Sequence, residues 1–358
     1  MEDNKELKEL NKKKRFWIVL CVFLAIVFLF FLISIILIMK KDRGFELNPF
    51  NKKVVETNDI TATHLTGRYL DGLMVEVGEE NNYPVAVIID NLKEARPQSG
   101  LSKASVVYEA EAEGGITRYL AIYAGGKDVG EIGPIRSARS YFVDWAEEYS
   151  AAYIHCGGSP DALVKISKDN VFDFNEFYNG DYFWRRPDKS SPHNIYIRGE
   201  SIVSFLNKNN ADKGKYLPWS FKEEAETQQR PEGGEILIDF PSDDYKVKWQ
   251  YDRANNQYNR FLGGREHYDE NGKIITAKNI IIQYVQAQEV DDKLRLKLDT
   301  TGEGETVVCL DGKCEVGKWN KRISGSRTRF FDNNGNEFKF NAGLIWIEVV
   351  RKEYEIKY

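Results

Sequence analysis

Cysteine and histidine are scarce in this chain, four of each among 358 residues. The cysteines stand at 21, 156, 309 and 314, without the paired spacing of a structural zinc site. No metal centre is therefore expected. No Walker-type run and no G-x-G-x-x-G opening a helix are present, so no nucleotide cradle and no cofactor is read from the sequence. An excess of basic charge is also missing. The net charge is −5, from 50 basic and 55 acidic residues. Residues 1–43 hold nine of the basic and five of the acidic ones, which leaves 41 against 50 beyond, a net of −9. Such a surface is a poor partner for nucleic acid, whose binding rests on cations against phosphates.

One long apolar run is present. Residues 16–39, FWIVLCVFLAIVFLFFLISIILIM, carry no charge. As a helix, 24 residues would reach roughly 36 Å, against about 30 Å of bilayer hydrocarbon. Lys12, Lys13, Lys14 and Arg15 precede it, and Lys40, Lys41 and Arg43 follow. The expectation is a signal anchor with residues 1–15 cytoplasmic and the large domain extracytoplasmic. Neither a cleavage site nor a lipid-attachment motif is visible, since Cys21 follows Leu20 after only a few apolar residues.

Residues 40–80 read as a juxtamembrane spacer. Residues 81–208 read as an α/β domain, 209–230 as a linker and 231–358 as a mainly β domain. The fold class expected is thus α+β, a two-domain ectodomain on a membrane anchor. SVVYEAEAEGGITRYLAIYAG (105–125) is a hairpin closed by Gly114-Gly115. Tight closure would pair 113 with 116 and 111 with 118, putting Glu109, Glu111 and Glu113 on one face with Arg118. Within 133–152, Ala138, Tyr141, Phe142, Trp145, Ala146 and Tyr149 follow helical spacing. Arg136 and Arg139 then fall in the first turn, where cations oppose the helix dipole. Two readings stay open: an internal partner such as Glu109 or Glu111, or a bound anion.

AAYIHCGGSPDAL (151–163) reads as a strand, a Gly157-Gly158 turn and a helix capped by Ser159 with Pro160 first. His155 and Cys156 then lie at a strand's C-terminal end, where open α/β sheets bind ligands. Adjacent strand residues point to opposite faces, so His155 cannot activate Cys156 without a bend. Cys156 is a nucleophile or an inert thiol. His193 and Asn194 sit in SSPHNIYI (190–197). In the C-terminal half, Asp311-Gly312 closes a hairpin that sets Cys309 opposite Cys314, within reach of a disulfide.

AEGGITRYLAIYAG, IGPIRSARSYFVDWA, HCGGSP, SPHNIYI, TAKNIIIQ, GKWNK and TRFFDNNGNEFKFNAGLIWIEV together resemble the YerB-like family over about residues 83–352. The resemblance implies an extracytoplasmic protein of Gram-positive bacteria with an N- and a C-terminal module of unknown function. Members are often lipid-anchored; the apolar run here departs from that. No reaction is implied.

The function expected is a membrane-tethered envelope protein that binds or scaffolds. Its candidate anion site comprises Arg118, Arg136, Arg139, His155, Gly157, Gly158, Ser159, His193 and Asn194. The candidate partner is an anionic envelope polymer or another membrane protein. The alternative is an envelope-modifying enzyme using His155 or His193 with Glu109, Glu111 or Cys156.

Overall fold

A computed structural model describes residues 64–358. The apolar run 16–39 and the first part of the spacer lie outside the described residues. Among those described, no helix is long and apolar enough to cross a membrane.

Strands dominate. Apolar runs buried on both faces build the centre of a ten-stranded sheet, as expected for central strands covered on each side. Its members are β1 (Pro84–Ile89), β2 (Val106–Glu113), β3 (Ile116–Ala124), β4 (Ala152–His155), β5 (Asp173–Asn175), and, beyond the strands β6–β9 given below, β10 (Asn279–Val285), β11 (Gly302–Leu310), β12 (Lys313–Lys321), β13 (Arg329–Asp332) and β14 (Ile345–Arg351). The order is β13-β12-β11-β10-β14-β2-β3-β1-β4-β5. Strands β10, β14, β2, β1, β4 and β5 run the same way. The C-terminal half thus enters the same sheet as the N-terminal half, where β14 pairs in parallel with β2.

Helices α1 (Ser140–Glu147) and α2 (Pro160–Lys168) cover one face, where Trp145 stacks on Tyr108 at 5.1 Å. Helix α3 (Gly199–Lys208) covers the other face, together with a second sheet containing β7 (Glu235–Ile238), β8 (Val247–Asp252) and β9 (Gln257–Leu262). Strand β6 (Ile195–Arg198) pairs with Phe183–Arg185 and Glu131–Ile132. The second sheet alternates buried and open residues, the mark of strands with one face on the core.

Four local features differ from the sequence reading. The stretch read as spacer is built into the fold from residue 64, with Leu65–Gly67 paired to Met74–Glu76 and Leu70 buried. The stretch read as linker is packed too: Trp219 is buried and its Nε1 donates to the Thr328 carbonyl at 2.9 Å. Helix α1 begins only at Ser140, because Ile135 and Arg136 spend their amides on neighbouring strands and Ala138 on the Gly157 turn. Ile135 N donates to Ile195 O, and Arg136 N to Ile88 O. Arg136 therefore lies on an extended segment, and Arg139 is the N-cap. Finally, hairpin β2–β3 bulges between Glu111 and Glu113, so Glu111 faces Thr117 and Arg118 faces Ala110.

That bulge divides the three glutamates between the sheet's two faces. Each finds its own arginine. Glu113 takes Arg118 and Arg139 beside α1. Glu109 takes Arg260 of β9, and Glu111 takes Arg351 at 2.9 Å. Two of the four arginines, Arg260 and Arg351, come from the C-terminal half.

Between the sheets the Glu109–Arg260 pair is fully buried. Glu348, the register partner of Glu109 on β14, shares that face. Trp249 Nε1 donates to Glu348 Oε1 at 2.8 Å, and the Thr117 hydroxyl to Glu109 Oε1 at 2.6 Å. Arg260 lies 4.6 Å from the Trp346 ring centre and 5.1 Å from that of Trp249. Two carboxyls share one guanidinium here. Burial, then the charge of Glu109, drive the Glu348 carboxyl well above its usual range.

Candidate functional site

The C-terminal ends of β1, β4 and β5 lie side by side, and loops 90–98, 133–139 and 185–194 converge on them. Contacts there close into a ring. Arg136 Nε lies 3.1 Å from Asp90 Oδ2, and His193 Nδ1 donates to the same oxygen at 2.7 Å. Cys156 N donates to Arg136 O at 3.1 Å, and Cys156 Sγ to Glu176 Oε2 at 3.5 Å. Arg185 then joins Glu176 Oε1 and Asn194 Oδ1, each at 3.2 Å, and Asn194 follows His193.

Asp90 is buried and anchors the ring. Its Oδ1 accepts from Leu92 N at 3.0 Å, and its backbone carbonyl from Gln98 Nε2 at 3.0 Å. Asn91 is held by Arg96 and Gln98 and passes the network inward to Thr117 at 2.7 Å. Asp90, Glu176 and Arg185 were not among the residues singled out from sequence. The only sequence signal for Asp90 is its place after the apolar run of β1.

The three arginines expected here divide. Arg118 donates to Glu113 Oε1 at 2.8 Å and to the Ser137 carbonyl at 3.0 Å. Arg139 donates to Glu113 Oε2 at 2.7 and 3.1 Å and to the Ala138 carbonyl at 2.8 Å. Burial would raise the Glu113 carboxyl, but the two guanidiniums hold it below its ordinary value. This is internal pairing, with Glu113 in place of Glu109 or Glu111. Arg136 is different. Its guanidinium meets Asp90 as a charge pair, none of its three nitrogens has a hydrogen-bond partner among the described residues, and neither has His193 Nε2.

His155 is fully buried with both ring nitrogens engaged, Nδ1 with Gly157 O at 2.7 Å and Nε2 with Asp173 Oδ1 at 2.8 Å. It supports the Gly157 turn from beneath. Gly158 and Ser159 continue into α2, whose first turn carries its own Asp161. Burial and the neighbouring Glu176 carboxylate push the Cys156 thiol up to about 11, so it is a thiol at neutral pH. Glu109 and Glu111 are bound to Arg260 and Arg351, away from the ring. Of the groups an enzyme would combine, His193 and Cys156 share the ring, Glu109 meets it only through Asn91 and Thr117, and Glu111 and His155 are engaged elsewhere. Cys309 and Cys314 are joined by a disulfide on β11–β12, as the Asp311-Gly312 turn implied.

Comparison with known proteins adds the relationship. Residues 70–212 match the family described as "Protein of unknown function (DUF3048) N-terminal domain", and residues 236–347 match its C-terminal domain. "Putative lipoprotein YerB" of Bacillus subtilis (strain 168) is 31% identical over 290 residues, covering 78% of this chain and 85% of that protein. The crystal structure of YerB protein from Bacillus subtilis superposes with a TM-score of 0.72 at 29% identity, over 82% of this chain and 99% of that one. Both matched modules and an identity of 31% across most of a relative's length place this chain in the YerB-like, DUF3048 family.

Proposed function

We propose that this chain is an extracytoplasmic envelope protein, tethered by its apolar segment 16–39, that binds an anionic group of an envelope polymer at the Asp90–Arg136–His193 site. The relative's name as a lipoprotein and the acidic charge beyond residue 43 support the compartment. One observation carries the binding reading. Arg136 is paired by charge with the buried Asp90 carboxylate, 3.1 Å from its Nε, and no nitrogen of its guanidinium has a hydrogen-bond partner among the described residues. A guanidinium so held loses little freedom when it grips a carboxylate or phosphate with two parallel hydrogen bonds. His193 Nε2 stands beside it, tied to the same Asp90 oxygen.

The test is co-sedimentation of the full chain in detergent micelles with purified cell-wall sacculi. The sacculi are used intact and after their phosphodiester-linked polymers are stripped. Arg136→Gln should weaken binding about tenfold, the loss of one bidentate charged contact. Loss on stripping assigns the anion to phosphate, and retention assigns it to carboxylates of the glycan-peptide mesh. Equal binding by Arg136→Gln and wild type would remove the site from the function.

A further inference from the structure

Phe177 and Tyr178 sit on the helical turn Glu176–Asn179 and are 67% and 81% exposed. Phe177 is nevertheless held in place. The buried Asn175 Oδ1 accepts from Phe177 N at 3.2 Å and from Gly157 N at 3.1 Å, tying the turn after β4 to the turn after β5. The Phe177 ring lies over Gly157, where a Cβ would stand 3.1 Å from two ring carbons. Gly157 also has φ +62°, which suits glycine. Leu163 closes on the neighbouring Gly158 from the other side.

Fixing a large ring while two-thirds of it stays in water gains little burial free energy. It does prepare a surface for binding, because the ordering cost is already met. The surroundings indicate the ligand. Glu176, beside Phe177 in sequence, and Arg185 and Asn194 form the polar rim already described, with orientations set by their mutual hydrogen bonds. The exposed face of Phe177, with the planar Glu176, Arg185 and Asn194 groups of the ring close by, fits a sugar, which offers C–H groups on its face and hydroxyls around its edge. Two rings and a leucine fall far short of the ~800 Å² per partner of a stable protein interface.

We propose that Phe177 and Tyr178 are a stacking platform for a sugar of the same polymer whose anionic group binds at Arg136 and His193. This rests on the function proposed above and names its ligand as an anionic polysaccharide.

The test uses the full chain in detergent micelles and an uncharged chito-oligosaccharide as probe, so that the anion site contributes nothing. Calorimetric titration should show binding by wild type, about tenfold weaker binding by Phe177→Ala and by Tyr178→Ala, and recovery in Phe177→Tyr. Arg136→Gln should bind this probe within about twofold of wild type. If Phe177→Ala lowers Tm, the more exposed Tyr178→Ala carries the comparison. No binding by wild type, or equal binding by both alanine variants, overturns the platform. If Arg136→Gln still loses sacculi in that case, the anion site stands and only the platform falls. Loss of a co-purifying membrane protein from Phe177→Ala, without chito-oligosaccharide binding, assigns the patch to protein docking and also overturns it.

Discussion

Glu348→Gln should stabilise this protein more as pH rises. Folded, Glu348 keeps its proton well above the ordinary carboxyl range, because burial and the Glu109 charge outweigh Arg260. Unfolded, it ionises near its ordinary value of about 4.3. The folded-state pKa is raised, so the stability this group contributes is fully present below the unfolded value. It is lost as pH rises toward the folded value, at about 1.4 kcal/mol per pH unit. Glutamine copies the protonated acid. Its carbonyl can accept from Trp249 Nε1, as Glu348 Oε1 does at 2.8 Å, and its amide can donate to Glu109. Because it has no proton to release on unfolding, its advantage over wild type should grow by up to about 1.4 kcal/mol per unit as pH rises above the unfolded value, for as long as folded Glu348 stays protonated. Glu109→Gln should do the opposite at pH 7, costing about 3 kcal/mol or more by leaving Arg260 without its carboxylate. The assay is urea unfolding of the full chain in micelles, followed by tryptophan fluorescence at four pH values. Parallel pH curves, with Glu348→Gln several kcal/mol less stable throughout, would show Glu348 ionised in the fold and refute the reasoning.

Glu113→Ala should lower stability by about 2 kcal/mol or more, since it strands two largely buried guanidiniums, while sacculus binding per folded molecule is unchanged; urea midpoints and co-sedimentation check both. Cys156→Ser should leave Tm and sacculus binding within error of wild type. In wild type, iodoacetamide should label Cys156 more slowly at pH 7 than a free thiol peptide, because burial and Glu176 oppose the thiolate. Mass spectrometry of the non-reduced, alkylated chain should find the 309 and 314 peptides linked. Removing the bridge by Cys309→Ala with Cys314→Ala should cost no more than about 2 kcal/mol, because the closed loop is short.

The local pattern carried much of this fold. The β11–β12 hairpin keeps the register that Asp311-Gly312 demands, with Cys309 facing Cys314. The turn from β4 into α2 is where Gly157, Ser159 and Pro160 put it. The β2–β3 hairpin shows the limit. Its two-residue turn was legible, but the bulge depends on where Glu113 finds Arg118 and Arg139, and where Glu109 and Glu111 find Arg260 and Arg351. Arg260 and Arg351 lie more than 140 residues away in sequence, beyond any local spacing rule. Helix α1 begins late for the same reason: Ile135 and Arg136 donate their amides to Ile195 and Ile88, contacts no hydrophobic period encodes. In the site, Arg136 and His193 were visible as residue types. The buried Asp90 that joins them was not, because a carboxylate after an apolar run reads first as a strand end.

The most direct test of the anion site is nuclear magnetic resonance of the full chain in micelles, with labelled arginine and histidine, during titration with inorganic phosphate. Saturable shifts of the Arg136 guanidinium and the His193 ring, with Arg118, Arg139 and His155 unmoved, are the result predicted. Shifts confined to Arg118 and Arg139, or no saturable shift at Arg136, would contradict it.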